Sequence, residues 1–551
     1  MSYQTKQHPT IGPIRGLNKV PTVVQYLGVQ YATLKDRFSR GVLLETYNRD
    51  YLNEDGVLDA TKLGPIPPSP ANGCAWEQNL LQHSLPFPDY PQSDTECLTL
   101  NIAVPKVKDA DSLPVLVLIH GGAFATGSSS YPQYDLARIT NQSLELKKPM
   151  IVVAVNYRLG VPGFLHSLAM KAAGYKPNNG LDDQRLAFRW VKRHISGFGG
   201  DPNRVTFIGE SAGGASGCFH LHSNEPLFNQ LIGMSGTSLL RARTPELLEK
   251  SFARIADIFG TQDLSPAEQV QRVLEVPMSE LTAKVGRRIP LGPMVDGDFI
   301  PEITTFKTLA DDAEVKRLFP GIQHCKRVII GDCQMDAMAL APRLEARTDI
   351  FSQTLVKCLS TSFENVDPSI ALAIAAAYDL DPSSTSNTPE SMKKVLNFGN
   401  DVCFAVAAQS FTRAWSSSSV PGTEALQYRF NCPNPWDGPW KGHATHILDI
   451  AFVLQNYAEH LSNGQRLSAE QFAADLITFI HGKKPWAEYQ VGTAEGSMVY
   501  NASIAGDQNL SGFAASEAPE KTGRRYALQA LVKPELFDRL MDAWQMFMAG
   551  P

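Results

Sequence analysis

The chain has 551 residues, 43% hydrophobic and 19% charged, with a formal net charge of −6 and a pI near 6.1. That composition suits a globular protein with a large core, and its mild acidity offers no basic surface for nucleic acid or an anionic membrane. Eight cysteines with no C-x-x-C pair exclude a disulfide scaffold and a zinc site of the usual spacing.

The first twenty residues, "MSYQTKQHPTIGPIRGLNKV", lack the apolar centre of a secretory signal. They predict a cytoplasmic protein, secretion being the alternative where a signal has been removed. The sequons at Asn141, Asn501 and Asn509 accordingly read as chance matches. No stretch reaches the roughly 18 to 20 apolar residues of a membrane span, and the terminal "MFMAGP" carries no retention or lipid-anchor signal.

Four short runs are rich in β-branched residues and end in polar or glycine-bearing turns: "LPVLVLIHGG" (113–122), "MIVVAVNYRLG" (150–160), "RVTFIGES" (204–211) and "RVIIGDC" (327–333). Nearly continuous apolarity over five to seven residues predicts strands buried on both faces. Between the second and third runs, "LDDQRLAFRWVKRHI" (181–195) has helical period. Its acidic first turn complements the helix dipole, and Ala187, Trp190, Val191 and His194 share one face. "TPELLEKSFARIADIFG", "PSIALAIAAAYDL" and, near the end, "ELFDRLMDAWQMFMA" predict further helices. Strands alternating with helices imply an α/β protein with a large, mostly parallel central sheet whose reactive residues gather at the carboxyl ends of the strands. No linker or repeat divides the chain, so residues 1–551 are expected to form one domain. Insertions at about 240–325 and 340–425 would then line a substrate pocket, and the polar stretch 492–525 would be surface loop.

Within "VTFIGESAGGAS" (205–216), Ser211 stands between Gly209 and Gly213, where a strand gives way to small residues able to start a helix. A G-x-S-x-G is common by itself, but this setting is that of a nucleophile elbow, a tight turn lifting a hydroxyl clear of the sheet. A serine attacking a carbonyl also needs donors where negative charge develops. "IHGGAFATG" (119–127) follows another strand and offers the N–H groups of Gly121 and Gly122; the N–H of Ala212, just after the serine, would be the third.

Together with "LGVQYA", "ECLTLNIAVP", "VNYRLGVPGFL", "NNGLDDQRLAFRWVKRHISGFGGDPNRVTFIGESAGGAS" and "MSGTS", these residues resemble the type-B carboxylesterase/lipase family, which includes the cholinesterases and many fungal esterases. The match is dense from residue 27 to about 240 and looser beyond. It implies an α/β-hydrolase fold with an active-site gorge. The family's acid falls on Asp336 in "RVIIGDCQMDAM", an aspartate where glutamate is more usual, with Asp332 as competitor next to the strand. Its histidine falls on His446 in "GHATHILDIAFVLQ", with His443 three residues upstream as competitor. Ser235 in "MSGTS" matches a serine that supports the triad, and Cys74 and Cys97 sit where the family closes a disulfide loop. Cholinesterases carry a tryptophan deep in that loop; "SLPFPDYPQSD" has Phe87 and Tyr90 instead, and Trp76 lies too near Cys74 to match, so choline esters are not the expected substrate.

The resemblance thus implies a serine carboxylic-ester hydrolase acting on a small-molecule ester through Ser211, Asp336 and His446 and an acyl-enzyme, with no metal or organic cofactor. Acyl transfer or lactone formation on the same triad, tailoring a small metabolite, is the alternative. A non-catalytic binding module is the third reading, disfavoured by the intact triad.

Overall fold

The apolar runs pair into one mixed sheet of thirteen strands in a computed structural model that describes residues 2–108, 112–286, 288–515 and 527–550. Its principal strands are β1 (Ser2–His8), β2 (Gly12–Val20), β3 (Val23–Gln30), β4 (Thr99–Pro105), β5 (Leu113–Ile119) and β6 (Ile151–Val155). Then come β7 (Gly200–Glu210), β8 (Gln230–Met234), β9 (Arg327–Cys333), β10 (Glu424–Phe430), β11 (Ser497–Tyr500) and β12 (Gly512–Ala514). They lie in the order β1-β2-β3-β4-β6-β5-β7-β8-β9-β10-β11-β12, with Leu58–Asp59 added beside β2. From β6 to β11 every neighbouring pair is parallel. The flanking pairings, β1 through β4 to β6 and β11 to β12, are antiparallel. Every residue of β5 and β6 is buried, the reason both read as unbroken apolar runs rather than alternating ones.

The helices that bear on the site are α1 (Gly73–Leu81), α2 (Asn179–His194), α3 (Ala212–His220), α4 (Pro389–Asn400), α5 (Val406–Ser416), α6 (Leu448–Leu454) and α7 (Phe537–Ala549). On α2 the expected face is the buried one: Ala187, Trp190, Val191 and His194 have no solvent exposure. Asp182 in its first turn and Lys192 and Arg193 in its last complement the macrodipole. Asp183, on the same helix, takes the guanidinium of Arg158 in a two-pronged, fully buried pair at 2.8 and 2.7 Å. Arg158 Nη1 donates to the carbonyls of Arg37 and Ser39, which ties the exit of β6 to α2 and to the loop at 37–39.

Two expectations need correction. The stretch 492–525 is not simply surface loop: it supplies β11, buried at all four positions, and β12, which extend the sheet. Its residues 516–525 lie outside the described residues. Nor do Cys74 and Cys97 form a disulfide; all eight cysteines are free thiols. Their surroundings differ. Cys74, in the first turn of α1, accepts a hydrogen bond from Gln78 at 3.6 Å and lies near Tyr90 and Tyr131. Cys97 is buried beside Tyr31 and the Arg158–Asp183 pair. Burial pushes both thiols up, Cys74 to about 12, so neither is a reactive thiolate. Among the described residues no helix is long and apolar enough to cross a membrane.

Candidate active site

β7 passes directly into α3 through one residue, Ser211, whose φ of 56° and ψ of −119° lie outside the regions open to most side chains. Neighbours hold it there: its N–H donates to the carbonyl of Met234 at 2.8 Å, and its own carbonyl accepts from Ala215 at 2.9 Å. The two glycines of the motif are required by close approach. A Cβ on Gly209 would lie 2.3 Å from the carbonyl carbon of Gly213, and one on Gly213 would lie 2.1 Å from the carbonyl oxygen of Ile119, at the end of β5. Small residues therefore let α3 start against two strand ends, with the serine at the corner.

The acid and the histidine arrive on two loops that are stitched together. Asp336 follows the end of β9 by three residues, and His446 lies between β10 and α6. Gln334 N–H donates to the carbonyl of Phe430, and Met335 N–H to that of Ala444, both at 2.9 Å. His446 Nδ1 lies 2.7 Å from Asp336 Oδ1, while Asp336 Oδ2 accepts from the N–H of Cys333 at 2.8 Å. Ile447 adopts φ 61°, a costly conformation for a β-branched residue, as the chain turns into α6. The competitors are placed elsewhere. Asp332 is held in a fully buried ion pair with Arg429, and the His443 ring leans on Trp440 away from the cavity wall.

With Nδ1 committed to Asp336, Nε2 is the free edge of His446. It lies 3.2 Å from Oε1 of Glu210, the last residue of β7, and among the described residues no hydrogen bond joins the ring to Ser211 Oγ. Glu210 is a residue that the sequence reading missed, although it adjoins the serine. Both its carboxylate oxygens are buried without a hydrogen bond, and burial raises its pKa well above the ordinary value, His446 pulling it partly back. Burial disfavours the charged form of His446 too, but Glu210, Asp336 and Asp449 outweigh it and raise the imidazole to about 9. Asp449 is the second missed residue. It sits on α6 and accepts from Tyr428 OH at 2.7 Å and from Ser235 Oγ at 3.4 Å. Ser235 thus reaches the cluster through Asp449 and also hydrogen-bonds Asp336, whose charged form it favours.

Ser211 and His446 open onto one cavity of about 1180 Å³. Gly122 and Ala212 are on its wall and so is Ala123, whereas Gly121 is not. A Cβ on Gly121 would sit 2.5 Å from Glu210 Oε2 and 3.0 Å from Ser211 Cβ, so this glycine is needed for packing beneath the serine. Gly122, at φ 97°, and Ala123, at φ 55°, turn the loop along the cavity. Among the described residues the N–H groups of Gly122, Ala123 and Ala212 make no hydrogen bond and remain available. Further wall comes from 239–243, 278–293 and 339–343, from the loop that the resemblance sets along the gorge, at 68–94 with Trp76, Glu77 and Tyr90, and from one segment not foreseen, α7, through Met541 and Trp544. Phe87 stays outside, 41% exposed. Trp544 is seated on α4, where a Cβ on Gly399 would come within 2.3 Å of its ring.

The profile of the Carboxylesterase family matches residues 3–493. The chain is 31% identical over 406 residues to the para-nitrobenzyl esterase of Bacillus subtilis (strain 168), covering 73% of this chain and 74% of the relative. It is 28% identical over 489 residues to the esterase cest-33 of Caenorhabditis elegans, covering 80% and 78%. A solved PNB esterase superposes with a TM-score of 0.70 at 26% identity, over 95% of this chain and 100% of the other. A serine at a strand-to-helix corner, an aspartate-bound histidine facing the same cavity and a match over nearly the whole length lead to one conclusion: the chain belongs to the carboxylesterase family of α/β-hydrolases and is a carboxylic ester hydrolase.

Proposed function

We propose that Ser211 is the nucleophile, His446 the general base and Asp336 its orienting partner in hydrolysis through an acyl-enzyme. The observation that carries this reading is the 2.7 Å contact of Asp336 with His446 Nδ1 on the wall of the cavity into which the Ser211 corner opens. Nε2 of neutral His446 takes the hydroxyl proton as Oγ bonds to the ester carbon, and Asp336 stabilises the imidazolium formed. The N–H groups of Gly122, Ala123 and Ala212 face the oxygen on which charge develops; one such donor is worth about 3 to 4 kcal/mol of barrier. His446 returns the proton to the departing alcohol, and water, activated by the same nitrogen, releases the acid. The step requires Nε2 to turn from Glu210 to Ser211, the kind of tightening that substrate induces in an unliganded site.

A fluorophosphonate probe should attach to Ser211, read by peptide mass. His446→Ala should abolish both labelling and turnover of an activated aryl ester, while His443→Ala should not. Labelling of a different serine, or the reverse pattern for the two histidines, overturns the assignment.

A further inference from the structure

The cavity wall is unevenly charged. Its acids are Glu77, which accepts from Gln133 and Tyr134 on Oε1 and leaves Oε2 buried without a hydrogen bond, and Asp94, paired with Arg37 at 2.8 Å. Opposite in sign are Arg241, Arg243, Arg288 and Arg343. Arg241 is engaged by Asp538 and Asp542 of α7. The side chains of Arg243 and Arg343, by contrast, have no hydrogen bond, ion pair or ring contact among the described residues. Arg243 is half-buried, and Gly292 leaves room for it: a Cβ there would meet Arg243 Nε at 3.6 Å and Phe124 Cδ2 at 3.9 Å. Its arm therefore runs beside the ring that follows the Gly122–Ala123 turn. Arg343 is exposed and lies on the same cavity wall. The two feel each other: burial and then the charge of Arg343 depress the Arg243 pKa. Two guanidinium groups of like charge on one cavity wall, neither with a counter-ion among the described residues, leave a mutual repulsion uncompensated. An anion between them relieves it, and the planar fork of arginine suits a carboxylate.

We propose that the natural substrate is an ester whose non-reacting part bears a carboxylate, held by Arg243 and Arg343 while its ester carbonyl lies at Ser211. Either a half-ester of a dicarboxylic acid or an ester of a hydroxy acid supplies that chemistry. The same wall repels a quaternary ammonium, in keeping with the disfavoured choline esters. The inference rests on the proposed hydrolysis at Ser211, so its test separates the two.

Wild-type kcat/KM is compared within two size-matched pairs. Mono(4-nitrophenyl) glutarate against 4-nitrophenyl pentanoate places the carboxylate on the acyl side; 5-acetoxypentanoate against pentyl acetate places it on the alcohol side. We expect the charged member to be preferred by about tenfold or more in at least one pair, the pair identifying the side, and Arg243→Gln/Arg343→Gln to collapse that ratio at least tenfold. Parity or preference for the neutral ester in both pairs overturns the inference, as does a ratio that survives the double substitution. Glutarate binding by calorimetry reads the arginine pair without turnover. Binding lost in the double variant supports the anion site even if no ester is cleaved, which would instead overturn the proposed function; no binding to the wild type counts against the site.

Discussion

His446 stands between two carboxylates, and they do different work. Asp336 fixes one ring nitrogen, so Asp336→Asn should leave the fold intact yet reduce kcat by about 10⁴, because an amide holds the ring in the wrong tautomer. Glu210 touches the other nitrogen and, as an anion, favours the imidazolium. Catalysis needs neutral imidazole, so activity rises as pH passes upward through the His446 pKa. With that value raised to about 9, the acid limb of the kcat/KM profile should lie well above pH 6.5. Glu210→Gln removes the ionisable group without removing the shape, and should lower the imidazole pKa and move the limb toward lower pH. A limb that stays in place in the glutamine variant shows that Glu210 does not set the charge on the ring.

The elements that carry the site are held by contacts too close for ordinary side chains. At Gly213 a methyl group would collide with the backbone of Ile119, so Gly213→Ala should push α3 off β5, cost about 1 to 3 kcal/mol in urea unfolding and abolish probe labelling of Ser211. That corner was legible beforehand, because small residues in a fixed pattern report a local geometric demand. The α2 face was legible through its helical period, whereas Asp336 and His446 were reached only through the resemblance, and the structure brings those two side chains to 2.7 Å. Other features depend on contacts distant in sequence. Glu210 was hidden in plain view: an acid next to the serine has no periodicity to mark it, and only the fold shows that it meets a histidine 236 residues further on. The β11–β12 extension is a pair of strands too short to stand out in a polar stretch. Gly121 and Gly122 looked equivalent as letters, yet one packs beneath the serine and the other faces the cavity.

Across the molecule the buried Arg158–Asp183 pair joins β6, α2 and the 37–39 loop. Asp183→Asn leaves a guanidinium uncompensated in the core and should destabilise by about 3 to 5 kcal/mol, measured by urea denaturation; a loss below 1 kcal/mol contradicts this role. Stability owes nothing to a Cys74–Cys97 bridge. Denatured, unreduced protein should titrate with a thiol reagent to eight thiols, and its melting temperature should not change on adding reductant.

The α7 wall has a consequence for how the enzyme comes into being. A ribosome makes the serine corner and both stitched loops long before residues 537–549 emerge, and domains settle as they leave the tunnel. Until Trp544 seats itself on Gly399, one side of the chamber is missing. The wall that α7 supplies therefore depends on a contact between residues 145 positions apart, and a substitution at Gly399 would alter the shape of the chamber without touching the Ser211 corner.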